Sequence, residues 1–205
     1  MSKMALCMSA AQLAKEAFVD ELGIGEDLTF NFFGWNNNNL VIVAQLRQEF
    51  AGVSLSKRLM LSSAVLSHMR YAWGIDAVSV VAEGFETVDK KSLNGRELAI
   101  AFVEEKDLVK ECITVTHCEP NEITSMLEVH LASITYNYAI GREVEWGGPI
   151  GFVRGTDEVL RNSPLPKMLV DCLSTDIPEE ITDEEIESSI DAIEKMGFNI
   201  QEFIV

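Results

Sequence analysis

Residues 28–46 read LTFNFFGWNNNNLVIVAQL, and the reading of this stretch decides the fold class. Leu28, Phe30 and Phe32 alternate with Thr29, Asn31 and Phe33, the period of two that marks a strand. Asn36, Asn37, Asn38 and Asn39 follow. Asparagine tolerates the left-handed backbone and bonds its own main chain, so four in a row between apolar runs predict a hairpin loop. The return strand is expected over residues 40–46. A ligand-binding tip built from the four amides is the competing reading, and the turn accounts for them more simply.

The segments on either side are helical in pattern. Ser9 with Gln12 has the form of a capping box, and Leu13, Ala17, Phe18 and Leu22 recur at helical spacing before Gly23 and Gly25, which predicts a helix over 9–22. After the hairpin, Leu55, Leu59, Ser62, Leu66, Met69 and Trp73 share one side of a helix over 54–73, stopped by Gly74. Met60, Ala64 and Tyr71 widen its apolar surface, and His68 lies off the main stripe as a solvated or edge residue.

Four strand candidates come next: 77–82, 98–103, 109–118 and 123–138. Asn94-Gly95 is a turn signal between the first two, and Glu119-Pro120-Asn121-Glu122 between the last two. In the last strand the apolar parity slips from Leu127, Val129 and Leu131 to Ala132, Ile134, Tyr136 and Tyr138, as a β-bulge requires. The glycine-rich stretch 141–155, with Trp146 at its centre, reads as an extended loop or an irregular edge strand. The expected architecture is α+β: an antiparallel, bulged sheet, the helices 9–22 and 54–73 packed on one face, and an acidic C-terminal helix.

Residues 1–160 are expected to form this core, with 161–167 as a linker and the rest of 161–205 docked on it. Thr182 and Glu185 form a second capping box, Ile186, Ile190, Ile193 and Met196 a narrow apolar stripe, and Gly197 a stop. The tail 198–205 is apolar enough to need a docking site. From Asp176 onward there are ten acids and one base.

Charge and cysteine usage bound the function. The chain has 205 residues, 33 acidic against 16 basic, and a formal net charge of −17. Such a chain is repelled by phosphate backbones and anionic lipid, so nucleic acid and membrane surfaces are not expected partners. A basic protein surface, or a second copy of the chain, is. Cys7, Cys112, Cys118 and Cys172 show no CxxC pairing, and neither a signal peptide nor a long apolar run is legible, so free thiols in the cytoplasm are expected.

Motifs for chemistry are sparse. GxSxG, GxGxxG and GxxxxGK[ST] do not occur, and no cofactor is expected. Cys112, Thr114, Thr116, His117, Cys118, Glu128 and His130 gather on one predicted hairpin. A turn centred near Asn121 sets Cys112 opposite His130 and Thr114 opposite Glu128, with His117 on the other face, so no metal site is expected. Glu83 and Glu86, at a strand end, are the carboxylates best placed for catalysis, although a solvated strand exit accounts for them more simply. Trp35, Trp146, Phe198 and Phe203 lie on loops and ends; core packing is the simplest reading of each, and together they point to self-association or a partner.

Asp76 to Phe85 and Lys110 to His117, a strand ending in an acidic–aromatic patch and a second strand after a charged spacer, resemble small uncharacterised phage-type accessory proteins. The resemblance spans residues 54–118 and implies an accessory role in a virus or mobile element, with no activity and no functional residues to carry over. The favoured reading is therefore a non-enzymatic acidic binder, with Glu184, Glu187, Asp191, Glu194 and Trp146 as its partner-binding residues. The alternative is a small intracellular enzyme using carboxylates or the Cys112/His130 face.

Overall fold

The computed structural model describes residues 2–21, 28–50, 53–87, 109–138, 144–154 and 163–203. Its elements are α1 (Lys3–Glu21), β1 (Asn31–Asn36), β2 (Asn39–Leu46), a 3-10 turn (Gln48–Phe50), α2 (Leu55–Trp73), β3 (Ala77–Thr87), β4 (Val109–Pro120), β5 (Leu127–Tyr138), β6 (Val144–Arg154), α3 (Pro164–Leu173), α4 (Asp183–Lys195) and β7 (Phe198–Glu202). Seven strands form one open antiparallel sheet in the order β6-β5-β4-β3-β1-β2-β7, so the class is α+β. The strand candidate at 98–103 and the Asn94-Gly95 turn lie outside the described residues.

The chain divides into two compact units. One comprises Met1–Leu28, Val81–Val115 and Ala132–Phe152, the other Thr29–Val80, Thr116–Leu131 and Val153–Val205. In the second unit the asparagine run behaves as its chemistry demands. Asn37 and Asn38 carry φ of +47° and +67°, and Asn36 pairs with Asn39 across a two-residue turn. The register breaks between Gly34 and Trp35, which is the bulge that the pairing of β1 with β2 shows. Glycine is required there: a Cβ on Gly34 would stand 2.7 Å from Ile42 Cγ2 and 2.8 Å from Ile75 Cγ2.

Helix α2 begins at Ser54, whose side chain accepts the Lys57 N–H, and ends at Gly74 in the left-handed conformation. It buries Ser62, Val65, Leu66, Met69 and Ala72 and lies on β1 and β2, with α3 and α4 packed against it. Met60 and Tyr71, expected in its apolar surface, stay 64% and 38% exposed. His68 is half-buried, with Nδ1 3.4 Å from Ser189 Oγ of α4.

The C-terminal segment corrects the linker expectation. Ser163 stands at the N-cap position of α3, and Pro164 and Pro166 occupy its first turn, where a missing N–H costs nothing. Leu169, Cys172 and Leu173 are buried. The tail does dock, as strand β7: Leu46 pairs with Phe198, Ala44 with Ile200 and Ile42 with Glu202. Phe198 is fully buried, its ring 5.9 Å from that of Phe32.

In the first unit α1 starts six residues earlier than expected, so Ser9 lies inside it. Its inward face is Met4, Cys7, Ala11 and Lys15, while Leu13, expected inside, is 68% exposed. Leu22 lies outside the described residues. Strand β6 resolves the glycine-rich stretch as an edge strand, at one end of the described sheet.

Candidate functional site

Three arrangements concentrate chemistry, and each is contained in a single unit. In the first unit, Lys15 places Nζ 2.7 Å from Glu83 Oε1, with side chains 1% and 8% exposed. Tyr136 donates its hydroxyl to the same oxygen, and the Leu28 N–H donates to Oε2 at 2.5 Å. The ammonium also lies 5.1 Å from the centre of the Tyr136 ring. Trp146 meets that ring edge-on, 5.7 Å between centres, and donates its indole N–H to Glu16 Oε1 at 2.7 Å.

Glu83, expected at a solvated strand end, instead lies within β3 with its side chain buried, held by a lysine, a phenol and a backbone amide. The side chain of Glu86 is outside what is described. Lys15 is the partner the sequence reading missed. The signal was available, because Met4, Cys7, Ala11 and Lys15 are spaced by three and four along one helix face. A lysine completing an otherwise apolar stripe points to a buried partner for its charge.

In the second unit, Ser79 Oγ lies 2.7 Å from His117 Nδ1 and accepts the Trp35 indole N–H at 3.2 Å. His117 Nε2 lies 3.2 Å from Glu119 Oε2. A serine, a histidine and a carboxylate in series invite comparison with nucleophilic catalysis. Ser79 is fully buried and His117 only 2% exposed, and Trp35 already occupies the serine oxygen, whereas Glu119 at the outer end of the series is 36% exposed.

The register of the β4–β5 hairpin differs from the expected one, and the loop explains why. Asn121 donates its N–H to Met126 O, closing a six-residue loop instead of a tight turn centred on Asn121. This displaces the pairing by an odd number of residues, and an odd shift exchanges the two faces of a strand. His117 and His130, expected on opposite faces, stack with ring centres 6.3 Å apart and planes 27° from parallel. His130 therefore faces His117 rather than Cys112, and its Nε2 lies 3.8 Å from Glu128 Oε2. Among the described residues no three His, Cys, Asp or Glu side chains are grouped to hold a metal ion.

The four cysteines are free and buried. Burial pushes the Cys118 thiol up to about 12 and the Cys172 thiol to about 11, so neither is a poised nucleophile. The Cys172 thiol donates to Leu66 O at 3.3 Å.

The third arrangement is α4. Thr182 and Glu185 form the expected capping box, side chain to backbone in both directions. Ser189 and Ile193 are buried, whereas Glu184, Glu187, Asp191 and Glu194 are exposed. Their spacing of three and four residues aligns them as one stripe on the side away from Ile193. Tyr71 donates its hydroxyl to Glu185 Oε1 at 2.6 Å, tying the first turn of α4 to α2. The Glu185 carboxyl is held below its ordinary range by the Thr182 N–H, then by the hydroxyls of Tyr71 and Thr182.

Of the aromatic residues expected on loops and ends, Trp35 and Phe198 belong to the core. Trp146 is half-buried against Tyr136 and Glu16, and Phe203 joins the sheet by donating its N–H to Val41 O at 2.9 Å. No helix among the described residues is long and apolar enough to cross a membrane. No protein family, curated protein or solved structure matches the chain.

Proposed function

We propose that this protein is a non-enzymatic acidic accessory protein that binds a basic surface of a protein partner through α4. The observation that carries the reading is the two-sidedness of α4. One side is anchored by Ser189, Ile193 and the Tyr71–Glu185 bond, and the other presents Glu184, Glu187, Asp191 and Glu194 to solvent. A carboxylate stripe on an anchored helix loses little freedom on binding and can compete for a groove built for phosphate. Trp146, also assigned to the partner, is the weaker member, since its indole N–H is already engaged by Glu16.

The distribution of reactive groups favours binding over catalysis. Ser79, His117, Lys15 and Glu83 are withdrawn from solvent and bonded to one another within their sets. The free cysteines support a cytoplasmic setting. Self-association remains a second mode for the same surface only if a copy presents basic groups.

The test is Glu184→Gln, Glu187→Gln, Asp191→Asn and Glu194→Gln combined in the full chain. A partner captured from the producing cell is purified, and its affinity for both forms is measured by calorimetry at low and high salt. The combined variant should bind about tenfold more weakly or worse, with a flatter salt dependence. Unchanged affinity and salt dependence, with an unchanged circular dichroism spectrum, would refute the reading.

A further inference from the structure

The loop that closes β4 and β5 is tied by hydrogen bonds to Asn121, yet it presents two large apolar side chains to water. Asn121 Oδ1 accepts the N–H groups of Ile123 and Thr124, each at 2.9 Å. Asn121 O accepts the Ser125 N–H and Met126 O accepts the Asn121 N–H, both at 2.8 Å. Ser125 takes the left-handed conformation at φ +55°. Asn121, Thr124 and Ser125 thus supply the turn chemistry. Ile123 and Met126 supply none of it through their side chains, which are 92% and 69% exposed.

A single exposed aliphatic side chain needs no explanation, because folded surfaces carry many. Two on one tip, held in place by four hydrogen bonds to or from Asn121, form a pre-ordered pair of anchors whose burial costs little conformational freedom. The charge in the sequence that flanks them is of one sign. Residues 116–131 contain Glu119, Glu122 and Glu128 and neither lysine nor arginine.

We infer that the β4–β5 tip is an interaction surface, in which Ile123 and Met126 enter an apolar socket on a protein partner whose rim carries lysine or arginine. The apolar pair supplies the desolvated centre and the glutamates the polar rim of such a contact. Charge selects this occupant over the others. A second copy brings the same net charge of −17, and an anionic lipid surface repels the flanking glutamates. The inference rests on the reading that the partner has a basic surface, and it names a second point of contact besides α4.

Thr124 replaced by p-benzoylphenylalanine in the full chain, irradiated in the producing cell, reports what covers the tip. The expected product is an adduct with a different protein, cross-linked through a peptide that contains lysine or arginine. Ile123→Ser with Met126→Ser should then weaken that purified protein's binding by about tenfold or more while leaving the melting temperature unchanged. An adduct only with a second copy, only with lipid, or none at all overturns the inference, as does unchanged affinity in the double variant. The α4 variant separates the two proposals. Loss of binding in the tip variant alone upholds the tip and overturns α4, and loss in the α4 variant alone does the reverse.

Discussion

Lys15 and Glu83 form a buried ion pair, Nζ to Oε1 at 2.7 Å, between a helix and a strand that are far apart in sequence. Two charges withdrawn from water are tolerable only when each satisfies the other and the remaining lone pairs are also used. Here the Tyr136 hydroxyl and the Leu28 N–H complete the carboxylate. The pair therefore fixes how α1 is seated on its unit, although its net contribution to stability is small.

Breaking that pair from one side should be costly. Lys15→Met or Glu83→Leu alone is expected to lower the unfolding free energy by about 3–5 kcal/mol, because each leaves a buried group without its counter-charge. Lys15→Met with Glu83→Leu should cost clearly less than the two single changes together. Urea denaturation of the four proteins gives the cycle, and additive costs would show that the two groups do not depend on each other.

Ser79→Ala removes the oxygen shared by the Trp35 indole N–H and His117 Nδ1. The expected loss is about 1–3 kcal/mol, the penalty for leaving buried polar groups unsatisfied. Ser67→Ala is the control, since the Ser67 hydroxyl only bonds the Ser63 carbonyl on an exposed turn. It should change stability by no more than about 0.5 kcal/mol. Equal effects of the two changes would mean that the Ser79 network is not closed.

Thiol reactivity should follow burial. With Cys118 at about 12 and Cys172 at about 11, the thiolate fractions at pH 8 are on the order of one in ten thousand and one in a thousand. Native protein should leave both residues unlabelled over minutes by a disulfide reagent at that pH, and denatured protein should titrate all four cysteines. Rapid labelling of either residue in the native state, identified by peptide mass, would contradict this.

The bond between Tyr71 and Glu185 makes the seating of α4 sensitive to pH on both sides. The folded Glu185 carboxyl titrates below its ordinary value, so its contribution is present above that value and lost as pH falls through the folded one. The Tyr71 hydroxyl is raised above its ordinary value of 10, chiefly by its bond to Glu185. Its contribution is present below 10 and lost as pH rises through the folded value. Tyr71→Phe should reduce both the alkaline and the acid limb in urea midpoints measured from about pH 3 to about pH 11. Thr182→Ala should cost about 1 kcal/mol near neutrality through loss of the cap. Identical pH profiles for Tyr71→Phe and the parent would remove the assigned role of this bond.

The elements that sequence settled by itself are those whose cause lies within a few residues. Asn37 and Asn38 accept positive φ, and Thr182 with Glu185 and Ser54 with Lys57 satisfy N–H groups three residues away. The exposed acids of α4 follow from the same local periodicity, since Ile193 must face inward and Glu184, Glu187, Asp191 and Glu194 then cannot. Tertiary structure decided the rest, wherever the outcome depended on a distant partner. Whether His117 faces His130 turned on which residues closed the hairpin, and a loop closed by Asn121 and Met126 reversed every side chain relative to a tighter turn. Lys15 went inside and Leu13 outside because a carboxylate on β3, with a phenol and an amide around it, offsets the cost of burying an ammonium. The helix by itself shows only that Lys15 shares a face with Met4, Cys7 and Ala11; the carboxylate that lets this face go inside lies on β3, and nothing local to α1 announces it.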